Sequence, residues 1–167
     1  SIVNTTPSAS LIRNAIFGSF QDYIVAPVGF GCTTNCGTIS YYTIGTAPFR
    51  KTIINFNGLN YFNCTGLDAR KAYFQLVLSE TTNEIDVNVQ DKPLPCLGNS
   101  SANGNGNSLI GLNNADGTIG VAAPGRNTSE FAVTNESYKF TPSGASATTV
   151  VWTNQFGVSL GNSNPIE

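Results

Sequence analysis

The clearest regularity along the chain is an alternation of apolar and polar residues with period two, in short runs separated by turn residues. In the run Tyr73 to Ser79, Phe74, Leu76 and Leu78 fall on one face, and in Glu84 to Gln90 the same is true of Ile85, Val87 and Val89. With Thr81-Thr82-Asn83 between them, the two runs read as a β-hairpin whose apolar side supplies core. A second hairpin is expected from Thr38 to Ile44 and Lys51 to Phe56, joined through Gly45-Thr46-Ala47-Pro48. Asn14 to Tyr23 reads as a strand or an irregular core contact, and Leu109 to Leu112 as a re-entry into the sheet. Ser1 to Ser10 is a polar lead, Pro93 and Pro95 stop the strand before them, and Gly98 to Ser108 is too polar and glycine-rich to pack.

The run Gly111 to Phe140 holds further strand-like pieces: Thr118 to Val121, Glu130 to Thr134 and Ser137 to Phe140. They are separated by the turn chemistry of Asn114-Ala115-Asp116-Gly117 and by an apparent break at Pro124-Gly125-Arg126-Asn127. No stretch of about a dozen residues carries helical spacing, so the expected fold is all-β, an antiparallel β-sandwich of jelly-roll-like kind. Past Thr141-Pro142 the composition changes, and Thr149 to Thr153, with Trp152, followed by a turn and Val158 to Leu160, resembles the opening of an immunoglobulin-like repeat. The expected division is residues 1–142 as the sandwich module and 143–167 as the beginning of an immunoglobulin-like domain, which needs on the order of 100 residues to complete.

Composition narrows the setting. Charged residues make up 11% of the chain and the net charge is −2, which gives little field for nucleic acid or an anionic membrane surface. Asn, Ser, Thr and Gly form about two-fifths of the residues, a surface suited to an extracellular protein, while 40% hydrophobic residues suffice for a core. Met is absent and the chain opens at Ser1, which reads as a processed product or a piece of something longer. No apolar run approaches the roughly 20 residues that cross a bilayer as a helix, so membrane insertion by this segment is not expected.

The four cysteines allow three pairings, and the sequence favours one. Cys64 precedes the strand Tyr73 to Ser79 and Cys96 follows its hairpin partner, so closing the hairpin brings them to its open end; Cys32 and Cys36 then close a small loop. The rival, a four-thiolate zinc site, wants two tight knuckles, and only one close pair exists. Disulfides fit an exported protein.

With no histidine, Ser-His-Asp and Cys-His catalysis and every histidine-bearing metal site are excluded within this chain. Glu80, Glu84, Asp86, Glu130 and Glu136 could in principle form a carboxylate pair for glycoside hydrolysis, but Glu80 and Glu84 flank a hairpin turn, where solvated acids are ordinary. The expectation is a non-enzyme without a cofactor. Asn113, Asn114 and Asp116 are calcium candidates; the same residues suffice as a plain turn, and the loop pattern of calcium-binding hands is missing. Tyr61 and Tyr138 could stack on sugars, as could Tyr41 and Tyr42, though alternation turns about half of them inward. Arg126 on its Pro-Gly loop could meet a carboxylate of a glycan or partner, or pair within the domain with Glu130 or Glu136. Sequons at Asn4, Asn63, Asn99, Asn127 and Asn135 mark polar loops.

Four tracts in order carry a family resemblance: Ile16-Phe17-Gly18-Ser19-Phe20-Gln21-Asp22, Ile39 to Pro48, Phe74 to Ile85, and Gly111 to Phe140. Over most of residues 14–142 the chain resembles a recurring β-sandwich module of very large Bacteroidetes surface proteins, gliding-associated adhesins exported by type IX secretion. The resemblance implies a non-catalytic module of a secreted, surface-attached adhesin serving gliding or attachment, with a surface polysaccharide or protein as partner and the export machinery acting through a region outside this chain. In that family the residues before the aspartate more often read tyrosine-histidine, whereas Gln21 stands before Asp22 here, so no histidine role carries over. Its members also carry strands upstream, which implies that the module of residues 1–142 lacks part of its own sandwich or completes it with something outside this chain. Two alternatives stand beside it: a glycan-binding module of a secreted enzyme, and a structural subunit that completes its sheet from a neighbouring chain.

Overall fold

A computed structural model describes residues 5–25, 37–62, 70–95, 107–143, 152–153 and 159–161. The strands in chain order are β1 Ala15–Phe20, β2 Tyr23–Ile24, β3 Thr38–Ile44, β4 Lys51–Tyr61, β5 Lys71–Ser79, β6 Ile85–Lys92, β7 Asn107–Asn113, β8 Gly120–Glu130, β9 Val133–Phe140, β10 Trp152–Thr153 and β11 Ser159–Gly161. All pairings are antiparallel. One sheet of six strands runs β4-β5-β6-β9, with β2 and β3 sharing the far edge of β4, and a smaller sheet runs β1-β7-β8. The β-sandwich expected from the alternation is what forms.

Both expected hairpins are present, with Ile44 opposite Lys51 and Leu78 opposite Ile85 at their closed ends. The inward face of the large sheet carries Ala72, Phe74, Leu76, Val87 and Val89, and Ile110 and Ala123 meet it from the small sheet. Phe74 stacks on Phe56 at 4.3 Å between ring centroids, as cross-strand partners on one face should. Leu78 and Ile85 sit at the margin of this core and are half-buried.

A belt of bulges crosses the large sheet. Between β4 and β5 the register slips between Phe56 and Leu59, where Gly58 takes φ 67°, and between β5 and β6 it slips at Tyr73/Phe74. A one-residue slip exchanges the two faces of a strand. On β4 the inward set Ile54 and Phe56 therefore continues as Leu59 and Tyr61, and on β6 the inward set Val87 and Val89 continues as Lys92. Tyr61 and Lys92 are both 0% exposed. The Tyr61 hydroxyl donates to the Pro93 carbonyl, and Lys92 Nζ donates to the Phe131 carbonyl at 2.8 Å while lying 4.4 Å from that ring's centroid.

The Pro124-Gly125-Arg126-Asn127 segment does not end a strand. It lies inside β8 as a bulge: Leu109 pairs with Asn127 and Gly111 with Ala122, so the chain between loops out with Gly125 at φ 68°. Gly111 must be glycine for space, since a Cβ there would sit 2.4 Å from the Val121 carbonyl oxygen. The amino-terminal lead is held against this sheet: the Asn127 amide accepts from the Thr6 N–H at 2.8 Å and donates to the Thr6 carbonyl at 2.9 Å, imitating a strand pair.

β3 forms an edge of the large sheet, exposed along all seven residues, with Tyr41 81% exposed. Trp152–Thr153 and Ser159–Gly161 pair with each other as a separate two-stranded sheet.

Candidate functional site

The outer face of the large sheet carries a polar row beside an apolar one, Tyr42, Ile53 and Val77, of which Ile53 and Val77 are buried. On β5 the residues between the core positions are Tyr73, Gln75 and Val77, and register lines Gln75 up with the outward residues of its neighbours: Ser40 opposite Asn55, Asn55 opposite Gln75, Gln75 opposite Asn88, Asn88 opposite Ser137. A row of hydroxyl and amide side chains thus crosses five strands, about 19 Å at the usual strand spacing. Beside it lie Thr38, Asn57, Tyr73, Gln90 and Asn135, next to the belt of bulges that bends the sheet. Together they line a cleft of about 600 Å³, open to solvent. Tyr73 is the half-buried aromatic on this face, its hydroxyl beside Gly58.

The row is wired internally. Gln75 Nε2 donates to Asn55 Oδ1 at 2.7 Å, and Asn88 Nδ2 donates to Gln75 Oε1 at 3.3 Å. Those two bonds fix the orientation of all three amides, leaving the Asn55 NH2 and the Asn88 carbonyl oxygen turned away from Gln75 at the two ends of the chain. The one charged residue among the lining is Glu136, but its place opposite Val89 puts its side chain on the inner face, where the carboxylate is bound by Arg126 Nη2 at 3.0 Å and by the Tyr138 hydroxyl; these two donors, the tyrosine foremost, hold its carboxyl below the usual carboxylate range. The cleft therefore offers paired donors and acceptors with little charge.

The residues singled out from sequence fall elsewhere. Tyr61 is corrected as a ligand platform, because the β4 bulge turns its ring into the core, where burial pushes its phenol up. Tyr138 lies half-buried against the core opposite Val87, and its hydroxyl accepts from Arg126 Nε at 2.8 Å. Arg126 makes the intradomain pair with Glu136, one of the alternatives the sequence left open, and lies 4.4 Å from the Phe131 ring centroid. The Tyr138 hydroxyl and the Arg126 guanidinium are joined to each other and to Glu136, and neither residue lines the cleft.

Asn113 is buried, donating to the Ser8 and Ile12 carbonyls at 3.0 and 3.1 Å. Asn114 Oδ1 accepts from the Ile119 N–H and Asp116 Oδ1 from the Thr118 N–H and hydroxyl, so the calcium candidates spend these oxygens on closing a turn. Among the described residues no cluster of three or more His, Cys, Asp or Glu could hold a metal. Glu80 is clamped by Arg50 at 2.9 and 2.6 Å, and Lys139 pairs with Glu84 at 3.2 Å and Asp86 at 3.7 Å. All four cysteines, and with them the expected pairs Cys64 with Cys96 and Cys32 with Cys36, lie outside the described residues.

No helix among the described residues is long and apolar enough to cross a membrane. No curated protein and no solved structure matches the chain. A model of the family described as NIDO related matches residues 2–154, running past the expected boundary at Pro142 into the segment with Trp152. A match over that much of the chain identifies it: the protein belongs to the NIDO-related family, whose domains are typically extracellular.

Proposed function

We propose that the chain is a non-catalytic adhesion module of a secreted surface protein, and that the outer face of its large sheet is the contact surface. The single observation that carries this is the aligned row Ser40, Asn55, Gln75, Asn88 and Ser137 in an open cleft, a surface equipped to hold a ligand by many weak, uncharged contacts. Membership of a typically extracellular family supports the setting, as does the pairing of four of the eight described acids, Glu80, Glu84, Asp86 and Glu136, with cations. The sequence resemblance to Bacteroidetes gliding-associated adhesins extends the proposal to a parent exported by the type IX route, serving gliding or attachment and continuing into immunoglobulin-like repeats.

The test is adhesion itself. Beads coated with the purified chain are expected to adhere to polysaccharide- or protein-coated surfaces, and Asn88→Trp, which fills the cleft from the exposed side, is expected to abolish adherence while leaving the thermal midpoint within a few degrees. Adherence no greater than that of beads coated with an unrelated β-sandwich refutes the proposal.

A second reading, a subunit that completes its sheet from a neighbouring chain, is favoured by β3, an uncharged edge exposed along its length. Sedimentation showing only monomer at high concentration removes it.

A further inference from the structure

We infer that the cleft on the outer sheet face takes a neutral, hydroxyl-rich polysaccharide strand lying across the β-strands, an inference that rests on the proposed adhesion role of this face. The first ground is the chemistry of the row. Carboxamides donate and accept at once, and so do sugar hydroxyls, so a line of Asn55, Gln75 and Asn88 matches a ligand that presents both functions at every ring. A cationic or anionic ligand asks for compensating charge. The lining has none to give, since its one charged residue, Glu136, lies opposite Val89 with its side chain on the inner face, paired with Arg126.

The second ground is pre-organisation. Gln75 sits between Asn55 and Asn88 and bonds both, so the three amides keep one orientation before any ligand arrives. A surface of free Asn and Gln side chains would lose rotamer freedom on binding; this row has already lost it in folding. The third ground is the aromatic. Gly58, in the bulge, has no side chain to crowd Tyr73, whose ring edge and hydroxyl would lie 3.5 Å from a Cβ placed there, at one side of the amide row. A half-buried ring of this kind offers a hydrophobic face to the C–H side of a sugar while the amides address its hydroxyls. The direction of the ligand follows from the register, since the row Ser40 to Ser137 runs perpendicular to the strands for about 19 Å, long enough for several sugar rings.

The experiment titrates the whole chain calorimetrically with soluble neutral polysaccharides (a β-glucan, a mannan, a galactan) and, in parallel, with alginate and a sulfated galactan. Binding is expected with at least one neutral polymer and little change between low and high salt. Asn55→Ala and Asn88→Ala are each expected to weaken it about 3- to 10-fold, and Tyr73→Leu about tenfold, while Tyr41→Ala on the β3 edge leaves it unchanged. Thermal melts keep the fold in view, and Asn88→Asp, which retains the shape and acceptor but adds charge, supplies a variant that does not rest on truncation. Binding confined to the acidic polymers, or neutral binding indifferent to all three cleft variants, overturns the inference. Adherence to protein-coated surfaces with no polysaccharide bound overturns it too and leaves the adhesion role standing; adherence to nothing removes that role.

Discussion

Lys92 is the most exposing test of the fold. The β6 bulge turns this residue into the core, where it is 0% exposed, with its ammonium on the Phe131 carbonyl and near the rings of Phe131 and Tyr61. Burial foremost, and then the neighbouring Arg126, bring its pKa down from 10.5 to about 8, with Glu130 opposing. Between about 8 and 10.5 the unfolded chain thus binds a proton that the folded chain has released, so stability rises with pH across that window. Integrating from pH 7 to 9.5 gives about 2 kcal/mol, which for a chain of this size raises the melting temperature by about 4–8 °C. Past about pH 10 the gain ends, because burial holds the phenols of Tyr61 and Tyr23 protonated, Tyr23 up to about 12, while unfolded tyrosines ionise near 10. Urea denaturation at half-unit steps from pH 7 to 10.5 is the assay, with Lys92→Met as the companion that keeps the volume and removes the charge. The wild type should climb to a maximum near pH 9.5–10, and the variant should lack the climb. A flat wild-type profile, or a climb that survives in Lys92→Met, refutes the placement of Lys92 in the core.

Three further outcomes are expected. Gly111→Ala, which drives a methyl toward the Val121 carbonyl across the β7–β8 pair, should cost about 1–3 kcal/mol in chemical denaturation. Asn127→Ala should release the amino-terminal lead by removing both Thr6 bonds, lowering stability by about 1–3 kcal/mol and speeding amide exchange at Thr6. A non-reducing mass map should return Cys64 joined to Cys96 and Cys32 to Cys36; the approach of Tyr61 to Pro93, and of Arg70 to Pro95 at 2.6 Å, brings the flanks of the first pair together, and any other pairing refutes it.

The period-two pattern was enough to define the hairpin of β5 and β6 and its inward set, because Phe74, Leu76, Val87 and Val89 report a buried face directly. It misled at Tyr61, and for a physical reason. Counting from Phe56 by twos puts position 61 outside; the extra residue at Gly58 reverses the phase, and a glycine inside a strand was the available sign. Lys92 was hidden likewise by the slip at Tyr73/Phe74, since a lysine after a strand reads as solvated. Pro124-Gly125 looked like an ending because proline interrupts ladders, yet on the exposed bulge of β8 it loses nothing. The cleft was illegible for a different reason. Asn55, Gln75 and Asn88 are ordinary outward residues of separate strands, and only the long-range register sets them side by side.

The alternation on β5 has an evolutionary consequence. Phe74 and Leu76 hold the sandwich together, while Tyr73 and Gln75, one peptide away, look outward from it. Exchanges at positions 40, 55, 75, 88 and 137 rewrite what the outer surface presents without removing an atom from the core. A gene that duplicates such a module into an array can therefore diversify each copy's outer row by drift and selection, while every copy keeps the same inward residues.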